Sequence, residues 1–156
     1  MTAPVITAHT LDRTNDNDLS TAQARLRATQ LAHRMVHVYH DPALLGRLGE
    51  EYTATILIAN NWYILERNYR TRFGELDIIA QTPDHTLSFV EVKTRSSLST
   101  GLPAQAVTPA KQKRLRCATR QWLLENPGRS YCLRLDVSSL IIRHGRVLLD
   151  YREGAF

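Results

Sequence analysis

The stretch Leu87 to Thr94 constrains this chain more than any other. Alternate residues of a strand face opposite ways, and here both faces are apolar: Leu87 and Phe89 on one, Val90 and Val92 on the other. A strand apolar on both faces belongs inside a sheet that is covered on both sides. Glu91 and Lys93 continue the face that Leu87 and Phe89 begin, where an ionised glutamate is costly unless something pairs with it. In the preceding β-rich run, Asp77 is bracketed by Leu76, Ile78 and Ile79, the same anomaly. Pro83-Asp84-His85 between the two runs has turn composition. A hairpin there sets Asp77 and Glu91 at the same end of neighbouring strands.

The rest of the chain is read around that hairpin. Residues 1 to 19 are polar, rich in Thr, Asn and Asp, and are expected to be irregular and disordered. Ser20 can cap a helix at 20–40, with Leu26, Leu31, Met35, Val38 and Tyr39 at helical spacing and Asp41-Pro42 as its stop. Residues 1–41 are thus expected to be a polar extension carrying one helix, and 42–156 the compact domain. That domain reads helix, three strands, helix, two strands. Its first helix, Pro42 to Asn60, carries Leu45, Leu48, Tyr52, Ile56 and Ala59 on one stripe. Strands at Trp62–Tyr69, Glu75–Gln81 and Thr86–Thr94 lead into a Ser/Thr/Gly loop from Ser96 to Leu102. Thr108 and Pro109 open a helix to about Glu125, and strands at Tyr131–Ile142 and Arg146–Tyr151 flank a His144-Gly145 turn. The expected class is α/β, a single mixed sheet flanked by helices.

Composition narrows the partners. A chain of 156 residues can bury about 69% of its extended surface, enough for a core without metals or disulfides. Hydrophobic content of 43% with 22% charged residues excludes a disordered or fibrous chain. Two cysteines, Cys117 and Cys132, make no disulfide framework and read as buried apolar residues. With neither an apolar run of membrane-spanning length nor a secretory signal, the expected location is the cytoplasm. The net charge of +5 leans towards anionic partners. In residues 1–41 four arginines balance four aspartates, so the whole excess falls in 42–156. Seventeen arginines accompany only three lysines, Lys93, Lys111 and Lys113, all close to the anomalous strand.

Two carboxylates about 4 Å apart repel by roughly 4 kcal/mol at an effective dielectric near 20. A shared proton, an adjacent cation or a bound metal relieves that. All-oxygen ligands favour Mg²⁺ or Mn²⁺ over zinc, and such an ion activates water towards a phosphoryl group. Lys93 beside Glu91 is placed to orient or deprotonate that water.

The same residues carry a resemblance. Gly74-Glu75-Leu76-Asp77-Ile78-Ile79-Ala80 and Phe89-Val90-Glu91-Val92-Lys93-Thr94-Arg95 resemble motifs of the YraN family of small bacterial proteins. So do Leu45-Gly46-Arg47-Leu48-Gly49-Glu50, Arg67-Asn68-Tyr69-Arg70, Ala106-Val107 with Lys111, and Leu135-Asp136-Val137, in order from Leu45 to Val137. That family is considered similar to the PD-(D/E)xK nucleases. The resemblance implies a restriction-endonuclease-like core of order α-β-β-β-α-β-β, a Mg²⁺ or Mn²⁺ cofactor, and a DNA phosphodiesterase acting in repair or recombination. It implies Asp77, Glu91 and Glu50 as metal residues, Lys93 and Glu50 as catalytic residues, and Lys111 as the basic position of the following helix. Leu76 stands where the superfamily name has a proline.

Other candidates are weighed beside these. Glu75 shares a strand face with Asp77 and is a reserve ligand, whereas Asp136 reads as a structural buried acid. The helix after Pro109 carries Lys111, Lys113, Arg114, Arg116 and Arg120, with Arg70, Arg72 and Arg95 flanking the motifs. Such a helix face is ordinarily just solvated, but directly after the site strand it is expected to contact phosphates, of DNA rather than RNA. His33, His37 and His40 read as a solvent-facing stripe, and Trp62, Tyr63 and Tyr69 as core packing. A non-cleaving nucleic-acid-binding module is the alternative function. A third is an interaction domain that docks through residues 20–40.

Overall fold

The computed structural model describes residues 15–96, 107–127 and 132–156. Residues 1–14, most of the expected Ser96–Leu102 loop and the expected strand start at Tyr131 lie outside them. Three helices and five strands follow a short 3-10 turn at Asn15–Asp18: α1 (Thr21–His37), α2 (Pro42–Ala59), β1 (Tyr63–Thr71), β2 (Gly74–Gln81), β3 (Leu87–Arg95), α3 (Pro109–Glu125), β4 (Leu133–Arg143) and β5 (Arg146–Arg152). The mixed α/β architecture and its element order match the expectation, with bounds shifted by a residue or two.

Capping chemistry sets the helix starts. The Ser20 hydroxyl accepts from Gln23 N–H while the Gln23 side chain accepts from Ser20 N–H, a reciprocal capping box. Asp41-Pro42 both ends one helix and begins the next, because the Asp41 carboxylate accepts from Leu44 N–H at 3.0 Å. Helix α1 therefore stops at His37 rather than near residue 40. Thr108 caps α3 through Lys111 N–H.

The sheet order is β1-β2-β3-β4-β5, with β3–β4 parallel and the other pairs antiparallel. The strand apolar on both faces is thus central. Ile78 pairs with Val90 and both pack with Ala54, Leu57 and Ile58 of α2. Ile79 pairs with Phe89 and both pack with Leu115, Ala118 and Trp122 of α3. Helix α2 covers one face and α3, the crossover between the parallel strands, covers the other.

Two expectations for the N-terminal segment are corrected. Asn17, expected in disordered chain, exchanges both side-chain amide bonds with the Ile64 main chain at 2.7 and 2.9 Å, and Leu19 packs on the core. The stripe of α1 that faces the core is Ala24, Ala28, Leu31 and Met35, whereas Leu26 is 61% exposed and Tyr39 is exposed too. Two alanines let α1 lie close to α2, and counting only bulky residues misses that phase. Met35 and Leu31 pack with Leu45, Leu48, Leu140 and Ile142, so α1 lies beside α2 and also reaches the β4–β5 end of the sheet.

Asp136 is fully buried and structural, as expected. Its carboxylate accepts from Ser88 Oγ, Arg134 Nε (3.0 Å), Tyr151 OH (2.9 Å) and Gly154 N–H (2.8 Å). It thereby ties β3, β4, β5 and the C-terminal residues together. Asp136→Asn keeps the shape but sets an amide N–H₂ against donors. Urea unfolding is expected to show a loss of about 3 kcal/mol, and a loss within about 0.5 kcal/mol would show that the carboxylate is not what holds these donors.

Candidate active site

The sheet opens where its two acidic strands part. The β2–β3 register runs from Gln81↔Leu87 to Ile78↔Val90 and stops, while β2 continues along β1 and β3 continues along β4. The next ladder position would set Asp77 opposite Glu91. Instead the Asp77 carboxylate accepts from Val92 N–H at 2.7 Å, replacing the backbone partner that β3 has lost. On its other side the β1–β2 register skips Asn68, which stands opposite Asp77 with φ of 53°. The crossing of packing sides follows from this: Leu76 packs under α3 with Ile79, although Ile78 and Ala80 pack under α2.

Into this opening project the residues singled out from the sequence. Burial, the Glu91 charge and, less strongly, the Glu50 charge push the Asp77 carboxyl up to about 7, against the Val92 hydrogen bond and Lys111. Glu91 is 8% exposed. Its Oε1 lies 3.2 Å from Lys111 Nζ, and its Oε2 is buried with no hydrogen-bond partner among the described residues. Lys93 is half-buried, and desolvation lowers its ammonium pKa, with Glu91 opposing and Arg95 and Lys111 adding to the shift. Glu50 is raised first by burial, then by Glu75, with Arg67 and Arg47 opposing and Glu91 a smaller contributor. The Glu50 carboxylate therefore belongs to the same electrostatic cluster but responds to Glu75 more than to Glu91. Its neighbour Glu51 turns away and pairs with Arg27 of α1 at 2.9 Å.

The approach of α2 is fixed by Gly49. A Cβ there would lie 1.9 Å from Thr94 Oγ1 and 3.1 Å from Leu140 Cδ1, so only glycine lets the helix sit directly on β3 and β4. Glu50 is the next residue, and its reach into the opening depends on that contact.

The basic candidates divide. Lys113, Arg114, Arg116 and Arg120 lie on the exposed face of α3, opposite buried Leu115, Ala118, Thr119 and Trp122. Lys111 alone of that set is held by an acid, Glu91. Arg70 pairs with Glu75 at 3.3 Å, which also occupies the reserve ligand. Arg72 lies over the Phe73 ring at 4.8 Å, and Arg95 is half-buried beside Lys93. Sequence reasoning missed Arg67 and Arg47 as charges against Glu50. Arg67 pairs in register with Ile78, next to Asp77, so the strand register was the signal that could have found it. His33, His37 and His40 are exposed, as expected. Trp62 packs edge-on against Tyr151 at 5.9 Å, as core packing predicts. The expectation of two buried cysteines fails: Cys132 is exposed and Cys117 is half-buried on α3.

Whether a divalent cation fits was tested on this donor set. Among the described residues no three His, Cys, Asp or Glu side chains gather as a ready-made cage. Mg²⁺ does not need one, since it keeps several waters and binds through one or two carboxylates plus substrate phosphates. Asp77 and Glu91, mutually repelling and with Glu91 Oε2 left without a donor, fit that demand. Among the described residues no helix is long and apolar enough to cross a membrane.

The family described as Uncharacterised protein family UPF0102 matches residues 49–140, a span that starts at Gly49 and includes every acidic residue of the opening. A UPF0102 protein of Bifidobacterium longum subsp. infantis is 45% identical over 117 residues, 74% of this chain and 94% of that protein. One from Rhodococcus opacus is 45% identical over 101 residues (65% and 85%), and one from Dictyoglomus thermophilum 39% over 107 residues (69% and 90%).

Two outcomes follow from the geometry. An aspartate whose folded pKa lies above its unfolded value binds more protons when folded, so stability from this site is present below about pH 4 and lost as pH rises towards 7. In EDTA, Asp77→Asn is expected to match the wild type near pH 4 and to exceed it by on the order of 2–4 kcal/mol at pH 8. A difference that is flat with pH in urea titrations would refute the raised Asp77 pKa. Gly49→Ala is expected to destabilise by about 1–3 kcal/mol through overpacking. Adding Thr94→Ala should restore part of that loss, and no recovery in the double variant would show that Thr94 is not the obstacle.

Proposed function

The chain belongs to the uncharacterised family UPF0102, the family to which the YraN resemblance points, and from that footing we propose that it is a Mg²⁺- or Mn²⁺-dependent DNA phosphodiesterase with a restriction-endonuclease-like core. The observation that carries this reading is the opening between β2 and β3. It brings Asp77 and Glu91 together against their mutual repulsion and sets the desolvated Lys93 beside them. Carboxylates held so are poised for a cation, and a carboxyl raised beside a lysine lowered by burial marks a functional site.

Asp77 and Glu91 are the residues that would hold the ion, with Glu50 assisting through water. When bound, Mg²⁺ or Mn²⁺ supplies polarisation of a phosphoryl oxygen and a more acidic water. Lys93, its ammonium destabilised by burial, accepts or steers the proton of the attacking water. Lys111, 3.2 Å from Glu91, is the cation of α3 nearest the acids and would offer its ammonium to a phosphate bound there. Lys113, Arg114, Arg116 and Arg120 on the exposed face of α3 grip the backbone, and Arg70, Arg72 and Arg95 extend that surface. A DNA nuclease of this size would act in repair or recombination, in the cytoplasm.

One observation favours a second reading. The Lys111 ammonium already stands 3.2 Å from Glu91, so the chain neutralises its own acid and could serve as a non-cleaving nucleic-acid-binding module. Supercoiled, branched and single-stranded DNA incubated with Mg²⁺ or Mn²⁺ separates the two. Cleavage is expected that EDTA abolishes and that Asp77→Asn or Lys93→Ala reduces by about 10²-fold or more. Salt-sensitive binding that survives Glu91→Gln, with no cleavage of any substrate, would replace the enzyme by the module.

A further inference from the structure

A second concavity lies further along α3. Arg72 and Phe73, at the tip of the β1–β2 turn, meet Cys117, Arg120, Gln121 and Leu124 of α3 around a cavity of about 650 Å³. Its chemistry is mixed in a particular way. The Arg72 guanidinium stands over the Phe73 ring, 4.8 Å from its centre, so a delocalised cation and an aromatic ring lie together at the cavity. Among the described residues neither Arg72 nor Arg120 is neutralised by a carboxylate. Leu124, 73% exposed, adds an apolar surface to the lining. Gln121 donates to Glu125 at 2.9 Å, and its carbonyl oxygen remains an acceptor. Two uncompensated guanidiniums around an apolar, planar floor suit a ligand that is itself an anion joined to a flat ring.

We propose that this cavity takes one nucleotide of the substrate, its phosphate on Arg120 and its base stacked on the Arg72–Phe73 pair. The inference rests on the DNA reading above and narrows it to DNA with an unpaired stretch. A base inside a duplex offers only its edge, whereas an unpaired base offers the face that guanidinium and aromatic planes bind. Position supports the assignment. Lys111 marks the end of α3 nearest the acidic opening. Lys113, Arg116 and Arg120 share one exposed face of that helix, Lys113 and Arg120 being seven residues or two turns apart, about 10 Å. One unpaired strand can therefore run along that face from the end at the opening, over Arg116, into the cavity. The β1–β2 turn keeps close to α3 on the way: a Cβ on Gly74 would be 4.0 Å from Arg114 Cβ.

Cys117 supplies a reporter, since it lines the cavity, while Cys132 is exposed and lies outside it. The experiment is alkylation of the native protein by iodoacetamide, read peptide by peptide by mass spectrometry, with EDTA present so that nothing is cleaved. At ten times its Kd, a short oligo(dT) is expected to slow Cys117 alkylation about tenfold and leave Cys132 unchanged. A blunt hairpin duplex should protect far less, and Arg72→Ala or Arg120→Ala should each weaken the protection by oligo(dT). Both variants change exposed side chains, so folding is not at stake. Bound oligo(dT), seen by anisotropy, with Cys117 still alkylated at the free rate would overturn the cavity and leave the nuclease reading standing. Equal protection by hairpin and oligo(dT) would overturn the unpaired-base assignment. Absence of binding by every DNA would overturn the DNA reading and the cavity with it.

Discussion

The hydrogen bond from Val92 N–H to the Asp77 carboxylate is the contact on which the rest of this molecule turns. Strands that part inside a sheet leave main-chain donors without acceptors, and a buried amide left so costs about as much as the whole net value of several hydrogen bonds. Here a side chain from the departing strand supplies the acceptor. The sheet can then open at its centre without an orphaned amide on β3. Everything chemically unusual about the chain is consequent on that opening: carboxylates at depth, a lysine short of water, and two helices whose charged residues enter from opposite faces.

Electrostatics is balanced across three elements rather than within one. The strands bring negative charge, α2 adds a further glutamate tempered by Arg67 and Arg47, and α3 returns one ammonium to Glu91. The remaining cations of α3 point to solvent, which puts the positive surface beside the acid and not on top of it. For the DNA substrate proposed above, such an arrangement would draw the backbone to the face of α3 and make its approach to the carboxylates depend on a bound cation.

Much of this was legible in the sequence because the opening violates strand patterning. Glu91, Lys93 and Asp77 occupy positions where two apolar faces leave no room for charge, and no tertiary information is needed to see the conflict. The hairpin, the central place of β3 and the Ser20 and Thr108 caps follow from local chemistry in the same way, whereas Asp41 reads from the sequence only as a stop and also caps α2. What was not legible depends on distance through space. The stripe of α1 was legible at Leu31 and Met35, but its Ala24 and Ala28 half was missed because alanine gives little periodic signal. Asn17 and Leu19 look like disordered chain until β1 supplies an edge for them to bind. Arg67 reads as an ordinary strand residue until register sets it next to Asp77, and Phe73 as a turn residue until α3 closes over it.

The crossover that links β3 to β4 has a consequence for how the site comes into being. Asp77 and Glu91 sit in one hairpin, close in sequence, whereas Glu91 pairs with Val137 across the whole crossover and meets Lys111 only as α3 docks. Local contacts form early and long loops close late. The two acids are thus neighbours before the Lys111 ammonium has arrived, with Lys93 and Arg95 of the same strand as the nearest cations. A shared proton is the natural way through that interval. The carboxyl that ends the folding process with its affinity for a proton raised is the one whose proton eases the hairpin into place.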